Sequence, residues 1–321
     1  MKILTHEDIK RINIDPLESL TWVETVLKEK KNLVLPPKIS LSMENNAFFN
    51  TMPSLLVSMG NIGGVKIVDR FPQRTPSLNS QILLYDLNTG NCVAMLDGNY
   101  ITALRTGTVA AQSIKKLSSK NAENIGFIGL GNQARATYKI LNAIWGKKKI
   151  KIRLQKYKEQ HESFTEYIKS LENFEFRELS YFDDPKDLIS DSDVIISAVT
   201  YMQDDFCDSK HYKKGCTVVP IHTRGFLNCD LVFDKVFADD IGHVQKFKNF
   251  EKFKPKLNEV ADVINGSCPG RENSEERIIV YNIGLSIHDI YFAKKIYEKS
   301  KNIGLGFETN LNSLNEKIWF V

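Results

Sequence analysis

The chain has 321 residues, 42% of them hydrophobic and 26% charged, a composition typical of soluble globular proteins. This length exceeds what one hydrophobic core usually holds, so we expect two domains. The formal net charge of +4 is small for the length, which argues against nucleic acid as the main partner.

Cysteine usage and the start of the chain bear on the compartment. The cysteines are odd in number and contain no C-x-x-C pair, which favours reduced thiols over a disulfide framework or a zinc site. The first residues lack the apolar core of a signal peptide, and no run of about 18 apolar residues occurs. We therefore expect a cytoplasmic protein with no membrane span and no metal. The cysteines are Cys92, Cys207, Cys216, Cys229 and Cys268.

The first third of the chain predicts an antiparallel sheet with helices around it. Short apolar runs alternate with turn clusters, and one cluster at 88–91 is typical of a hairpin turn. The predicted elements are a helix that Asp15 caps and Pro16 begins, strands at 65–68, 82–85 and 92–95, and a helix over 103–117.

The rest of the chain alternates strands and helices. Its strands are continuously apolar, which predicts a parallel sheet covered on both faces. The predicted strands are 124–128, 150–154, 174–179, 193–198, 216–221 and 236–238, and the predicted helices run from 133 to about 145, over 159–171 and over about 283–299. The fold class is therefore α/β, with a Rossmann-type sheet domain beside a second, α+β domain.

A glycine-rich turn with the spacing G-x-G-x-x-A follows the strand 124–128. Gly129 permits the tight turn, Gly131 lets the backbone approach a pyrophosphate, and Ala134 allows close contact between helix and strand. The helix start at Asn132 and Gln133 offers free N–H groups to phosphates. Because the motif opens an alternating series, it predicts dinucleotide binding more strongly than an ordinary strand–helix turn.

The end of the second strand in this region bears on the choice of cofactor. NAD-preferring sites usually place an acid there, on a ribose hydroxyl. This chain has no acid until Glu159, and Lys156 or Lys158 could hold a 2′-phosphate instead. The pattern favours NADP(H), with NAD(H) possible; the alternative is that the basic run 147–158 is only a solvated surface.

A series of short motifs spans nearly the whole chain, and with it the chain resembles the ornithine cyclodeaminase/μ-crystallin family. The resemblance implies a homodimer, with a dimerisation and substrate domain from residues 1–118 plus 285–321 and a Rossmann domain from 119–284. The motifs are Leu35-Pro36-Pro37-Lys38, Met52-Pro53, Gly64-Val65-Lys66, Phe71-Pro72, Thr89-Gly90, 94–98, Thr102-Ala103-Leu104-Arg105-Thr106 and the turn 129–134.

The resemblance also implies chemistry through an imine, with a small carboxylated imine, amino acid or keto acid as substrate. Arg105 would grip the substrate carboxylate as a bidentate fork. Lys66 would hold the carboxylate or pass a proton near the imine nitrogen. Lys38, where many members have arginine, would supply charge without a fork, and Met52 would complete the substrate set. Taken alone, Lys66 could instead reach solvent and Arg105 could form a surface ion pair.

Other segments are expected to border the cofactor. Their position at the end of a parallel strand predicts this for Ala198, Val199 and Thr200, and the resemblance adds Thr106 at the end of its motif. It also adds Asn282, where serine is usual, and Gly284, with Asp289 one helical turn beyond. For the pair Asp239-Asp240, helix capping by Asp240 is favoured over a metal site, because adjacent side chains on an extended chain point apart.

One segment departs from the family pattern. Ornithine cyclodeaminases place an aspartate two residues beyond a glycine here, and this chain has Leu227 in that position. Asp230 could replace it if the loop differs. His222 and Arg224 are unusual for the family and could contact a second acidic group of the substrate, or could hold the loop or touch the cofactor.

These observations lead to one main hypothesis and two alternatives. The main hypothesis is an NAD(P)H-dependent imine or ketimine reductase, or an amino-acid dehydrogenase, acting by hydride transfer. The first alternative is an ornithine cyclodeaminase that uses tightly held NAD, against which Leu227 argues. The second is a non-catalytic protein that binds NADPH or a small ligand, against which Lys66 and Arg105 argue.

Overall fold

The computed structural model describes residues 1–199, 202, 204–221, 226 and 229–310. The chain divides into two compact units. The first unit comprises Met1–Ile14, Lys31–Thr102 and the residues from Ser286 onward, and the second comprises Asp15–Lys30 and Ala103–Leu285.

Strands and helices occur in both units, and we number them in chain order. The strands are β1 (Lys2–Leu4), β2 (Ile39–Ser42), β3 (Phe48–Leu56), β4 (Ile62–Arg70), β5 (Leu78–Asp86), β6 (Cys92–Asp97), β7 (Asn124–Ile128), β8 (Ile150–Gln155), β9 (Arg177–Phe182), β10 (Val194–Ser197), β11 (Thr217–Pro220), β12 (Lys235–Ala238), β13 (Leu257–Glu259), β14 (Ile278–Tyr281) and β15 (Phe307–Glu308). The helices are α1 (His6–Arg11), α2 (Pro16–Glu29), α3 (Gly98–Leu117), α4 (Asn132–Trp145), α5 (Gln160–Lys169), α6 (Pro185–Ser190), α7 (Ile241–Val244), α8 (Phe250–Phe253), α9 (Val260–Ile264) and α10 (Ser286–Asn302).

The first unit is built on a sheet whose described strands follow the order β15-β1-β6-β5-β4-β3-β2. Neighbouring strands are antiparallel except β1 and β6, which are parallel. Helix α10 packs on β3, β4 and β5. Gly64 in β4 permits this approach, since an added Cβ would lie 2.7 Å from Cδ1 of Ile290. The centre of this sheet is therefore covered by α10.

The strands and the hairpin predicted in the first third of the chain are confirmed. The runs 65–68, 82–85 and 92–95 lie within β4, β5 and β6. At the turn, the N–H of Gly90 donates to the carbonyl of Asp86 over 2.8 Å, and Gly90 has a φ of +73°. That backbone conformation favours glycine, which explains the residue type at this position.

The second unit carries a sheet whose described strands are all parallel, in the order β13-β12-β14-β11-β10-β7-β8-β9. Every residue of β10, β11 and β14 is buried, as expected for strands covered on both faces. The predicted Rossmann-type sheet is confirmed. The strand order reverses direction between β7 and β10, which is where ligands bind in open sheets of this class.

Some predicted boundaries differ from the structure. The strand predicted at 174–179 is β9, which begins only at Arg177, because residues 174–176 form a short 3-10 turn after Asn173 at a φ of +64°. The last helix begins at Ser286 rather than near 283, since Gly284 has a φ of +103° and cannot be helical. Strands β13 and β14 were not predicted, and β13 has only three residues.

The two units also differ from the predicted domain boundaries. Helix α2 and the part of α3 from Ala103 onward belong to the second unit, whereas the prediction assigned all of 1–118 to the first domain. The reason lies in packing. Helix α2 contacts α4 and α9, and Ser19 in α2 hydrogen-bonds Thr108 in α3 over 3.0 Å. An added Cβ on Gly107 would lie 2.5 Å from the backbone of Ala136 in α4.

Candidate functional site

The turn after β7 is tightly packed at its first glycine. Gly129 has a φ of +77°, and an added Cβ would lie 2.7 Å from the backbone nitrogen of Val199. The neighbouring Ala198 donates its N–H to the carbonyl of Ile128 over 2.8 Å. Ala198 and Val199 follow β10 directly, so the turn lies against the end of that strand at the point where the sheet order reverses.

The second glycine of the turn has the opposite environment. Gly131 is exposed, and an added Cβ would meet no described atom within 4 Å. It is the N-cap of α4 and forms no side-chain cap. The helix therefore begins at Asn132 with N–H groups that no described side chain caps, and with a partial positive charge. Packing within the described chain does not require a glycine at this position. The close approach of an anion to the start of the helix would require one.

The residues that follow hold the start of α4 in place. Ala134 is fully buried, as its position in the motif predicts. Gln133 is partly buried, and its Oε1 has no hydrogen-bond partner among the residues described. Thr106 is buried in α3, directly before the glycine that packs against α4. These residues belong to one structural neighbourhood in the second unit, around the turn.

Lys156, directly after β8, is accessible to a ligand but already forms an ion pair with a surface acid. Its side chain is 40% exposed, and Nζ lies 3.1 Å from the carboxylate of Asp183, which is 85% exposed. Lys158 adopts a φ of +49° and places its ammonium over the ring of Tyr157. Surface pairs of this kind contribute little energy, so Lys156 can exchange one anion for another.

A buried ion pair occupies the centre of the first unit. Nζ of Lys66 in β4 lies 2.8 Å from Oδ2 of Asp289 in α10, and the two side chains are only 2% and 0% exposed. Met52 pairs with Lys66 across β3 and β4 and is also buried. Lys38 differs: it is exposed just before β2, with no ion pair to any described residue. The structure therefore places Lys66 and Met52 side by side in the buried part of the sheet, and Lys38 on the surface.

Asp289 is a residue whose importance the sequence prediction missed. The sequence pattern places it only by its distance from Gly284. A signal was present, because Asp289 lies in the first turn of α10, where residues 286–290 are all buried. An acid in such a position needs a cationic partner. The sequence does not say that this partner is Lys66.

Arg105 is buried in α3, with 5% of its surface exposed. Its guanidinium packs on Gly284, where an added Cβ would lie 2.5 Å from Nη1. The N–H of Gly284 donates to Oδ2 of Asp239 over 2.6 Å. Arg105, Gly284 and Asp239 thus form a contiguous group at the carboxyl ends of β12 and β14. The arrangement differs from a surface ion pair, because burial and close packing restrict the guanidinium.

Asn282, which is expected to border the cofactor, holds the end of β14 in place. It is buried, and its Oδ1 accepts a hydrogen bond from the hydroxyl of Ser113 over 2.9 Å. Its N–H donates to the carbonyl of Pro220 over 3.1 Å. These bonds tie the end of β14 to α3 and β11. The predicted capping by Asp240 is confirmed, since its side chain accepts the N–H of Gly242 over 2.8 Å.

Several predicted residues lie outside the described part of the chain: Thr200, His222, Arg224 and Leu227. For Asp230 the structure describes only a backbone in a short 3-10 helix, Cys229–Val232. Among the described residues, no group of three or more His, Cys, Asp or Glu side chains could hold a metal ion. No helix in the described ranges is long and apolar enough to cross a bilayer.

Comparison with known proteins gives consistent matches over nearly the whole chain. A model of the ornithine cyclodeaminase/mu-crystallin family matches residues 2–216 and 227–303. The Delta(1)-pyrroline-2-carboxylate reductase of Bacillus cereus is 28% identical, over 95% of this chain and 98% of that protein. The alanine dehydrogenase of Archaeoglobus fulgidus is 26% identical, over 94% and 96%. A solved structure of Thermococcus litoralis Delta(1)-pyrroline-2-carboxylate reductase in complex with NADH and L-proline has a TM-score of 0.86 and 25% identity, covering 96% of this chain and 100% of that one.

Proposed function

The chain belongs to the ornithine cyclodeaminase/mu-crystallin family, and from this premise we propose that it reduces a small carboxylated cyclic imine, or the imine of a keto acid and an amine, with NAD(P)H. The similarity to pyrroline-2-carboxylate reductases and to an alanine dehydrogenase supports an oxidoreductase acting on a C–N bond. A bound nicotinamide would supply the hydride.

The observation that carries the proposal is the contrast between the two glycines of the turn. Gly129 is required by packing against Val199, whereas Gly131 leaves open space above an uncapped helix start. That combination suits a pyrophosphate, because the backbone can approach closely and the helix dipole favours negative charge. Ala134 and Gln133, in the first turn of α4, belong to the same proposed cofactor site.

Two cationic residues are assigned to the substrate. Arg105 binds the carboxylate, because a guanidinium offers a fork that matches two oxygens. Lys66 transfers a proton at the imine nitrogen, and Asp289 holds its side-chain nitrogen in place. The buried setting suits this role, since a side chain that is held in place loses little freedom when the substrate binds. Lys38, which is exposed, contributes charge at most.

We propose NADP(H) as the preferred cofactor, with NAD(H) accepted. Support comes from the end of β8, where Gln155 and Lys156 stand in place of an acid. A 2′-phosphate would compete with Asp183 for Lys156. Lys156→Ala should lower kcat/KM for NADPH about threefold, as for a surface charge pair, and leave NADH unaffected. Equal losses with both cofactors, or none, would remove this assignment.

We also propose that the protein is a homodimer that pairs through the first unit. The edge strand β2 carries Ile39 and Leu41, each 58% exposed, and Leu41 stands opposite Phe49 of β3, which is 36% exposed. An exposed apolar edge strand is unfavourable in a monomer and is usually covered. Leu41→Glu should shift the mass from dimer to monomer in light scattering, whereas a wild-type monomer would contradict the proposal.

The reaction is tested with purified protein, NADPH or NADH, and Δ1-pyrroline-2-carboxylate or a keto acid plus ammonia. Loss of nicotinamide absorbance with formation of the matching amino acid is the expected result. Lys66→Ala should abolish turnover while nicotinamide still binds. Release of ammonia from ornithine without net NADH, or tight NADPH binding with no turnover across the panel, would overturn the proposal.

A further inference from the structure

Asp239 is a carboxylate for which the proposed reaction gives no role. It directly follows β12, and only 1% of it is exposed. Its Oδ2 accepts the N–H of Gly284 over 2.6 Å, and its own N–H donates to the carbonyl of Tyr281 over 3.0 Å. Burying a carboxylate costs free energy unless its contacts compensate. The two bonds tie the segment after β14 to the end of β12.

The second oxygen of this carboxylate is not compensated in the same way. Among the described residues, Oδ1 of Asp239 has no hydrogen-bond partner. Nδ1 of His243 lies 3.9 Å away, too far for a hydrogen bond, and it also lacks a partner in the described chain. Burial raises the pKa of Asp239. Within the described part of the chain, the bond from Gly284 is therefore the one hydrogen bond that this side chain accepts.

The backbone of Asp239 is fixed by a lysine of α2's C-terminal end, Lys30. Nζ of Lys30 donates to the carbonyl of Asp239 over 2.8 Å. The same ammonium lies 2.7 Å from Glu259 and 2.8 Å from Asp240, and the Lys30 side chain is only 8% exposed. A buried, multiply bonded lysine holds its acceptor firmly. Asp239 is thus a fixed point from which Gly284 is held.

Gly284 in turn determines where the Arg105 guanidinium can lie. An added Cβ at Gly284 would be 2.5 Å from Nη1 and 3.2 Å from both Cζ and Nη2. The planar group therefore lies directly on the glycine backbone. With a φ of +103°, Gly284 has a backbone conformation that residues with a Cβ rarely adopt. A shift of this backbone would move the surface on which the guanidinium packs.

We infer that Asp239 is a positioning residue for Arg105, acting through the N–H of Gly284. The inference rests on the proposed function, because it assigns substrate binding to Arg105. Asp239 itself touches no substrate. It holds the glycine backbone so that the guanidinium presents its fork in one orientation, which lowers the cost of ordering the arginine when a carboxylate binds.

Three variants test this role in steady-state kinetics with a carboxylated imine. Asp239→Ala removes the acceptor and should raise KM for the imine about tenfold, the effect of one lost buried hydrogen bond, with the dissociation constant for NADPH unchanged. Asp239→Asn should restore KM to within about twofold of wild type, because the amide oxygen still accepts the Gly284 N–H. Asp234→Ala, the matched control, removes a carboxylate that accepts the N–H of Arg277 over 2.7 Å at the opposite ends of β12 and β14, and should leave KM unchanged.

A double-variant cycle distinguishes positioning from a general loss of stability. If Asp239 acts through Arg105, then Asp239→Ala should raise KM much less in an Arg105→Lys background than in wild type. If Asp239→Ala raises KM by the same factor in the Arg105→Lys background as in wild type, the inference is overturned. An unchanged KM in Asp239→Ala, or an equal rise in Asp234→Ala, would also overturn it. If Asp239→Ala does not fold, Asp239→Ser takes its place, since its shorter side chain does not reach Gly284.

The two proposals fail in different ways. Wild-type protein that reduces no imine refutes the proposed function before any variant is compared. The positioning role is then decided by crystal structures of wild type and Asp239→Ala. A displaced Gly284 backbone with a reoriented Arg105 guanidinium supports the inference, and an unchanged guanidinium rejects it.

Discussion

Replacing Asp289 with asparagine isolates the charge of the buried Lys66–Asp289 pair while keeping the size of the side chain. The two groups are 2.8 Å apart and 2% and 0% exposed, so solvent screens them little. Removing one partner of such a pair typically costs about 3–5 kcal/mol, because the remaining charge stays buried without it. At a urea dependence of about 3 kcal/mol/M, the unfolding midpoint should fall by about 1 M or more.

The same helix offers a matched control. Glu298 in α10 lies 3.4 Å from Lys294 and 3.1 Å from Lys295, and its side chain is 44% exposed. Glu298→Gln makes the same change from carboxylate to amide at the surface and should cost no more than about 1 kcal/mol. Urea unfolding of both variants, followed by circular dichroism, gives the comparison. Equal losses in the two variants would refute the argument from burial.

A double variant separates stability from activity. Lys66→Met combined with Asp289→Leu replaces both charges by apolar groups, and such replacements are often neutral or stabilising. We expect unfolding free energy to recover relative to Asp289→Asn, while imine reduction stays absent because no proton donor remains. Recovery of turnover together with stability would show that Lys66 has no part in the chemistry.

Three further predictions concern the glycine turn and two carboxylates. Gly129→Ala should destabilise the fold, because the new Cβ would clash with the backbone of Val199 and φ at this position is positive. Gly131 has a φ of −79° and open space around it, so Gly131→Ala should unfold like wild type. It should nevertheless bind NADH more weakly in calorimetry. Burial raises the pKa of Asp239, so ionisation is disfavoured in the folded state and the free energy of unfolding falls as pH rises above about 4. In urea unfolding, Asp239→Asn should therefore become more stable relative to wild type as the pH is raised. Burial acts to raise the pKa of Asp193, but hydrogen bonds from Lys213 and two backbone N–H groups lower it on balance. The ionised Asp193 therefore stabilises the fold above about pH 4, and this stabilisation is lost on acidification. Asp193→Asn should be less stable than wild type at pH 7 but not at pH 2. A constant stability difference across pH for either carboxylate variant would contradict these signs.

Much of the fold followed from local patterns. Continuous apolar runs predicted the central parallel strands, and the capping residues Asp15 and Pro16 predicted the start of α2. The misses have local causes too. Strand β9 is mostly half-buried or exposed and follows a turn with a positive φ at Asn173, so its apolar signal was displaced toward Phe174. The membership of α2 in the second unit depends on contacts with α4 and α9, which no feature of α2 alone specifies.

The sequence by itself determined the turn from Gly129 to Ala134, because strand, turn and helix are contiguous and each residue type answers to a local constraint. Only the tertiary structure decided which charges meet. Lys66 and Asp289 are 223 residues apart, and Asp239 and Gly284 are 45 apart. Their contacts depend on which strands are neighbours and which helix covers them. Spacing along the chain carries no record of that order, since the same alternation of strands and helices fits several sheet orders.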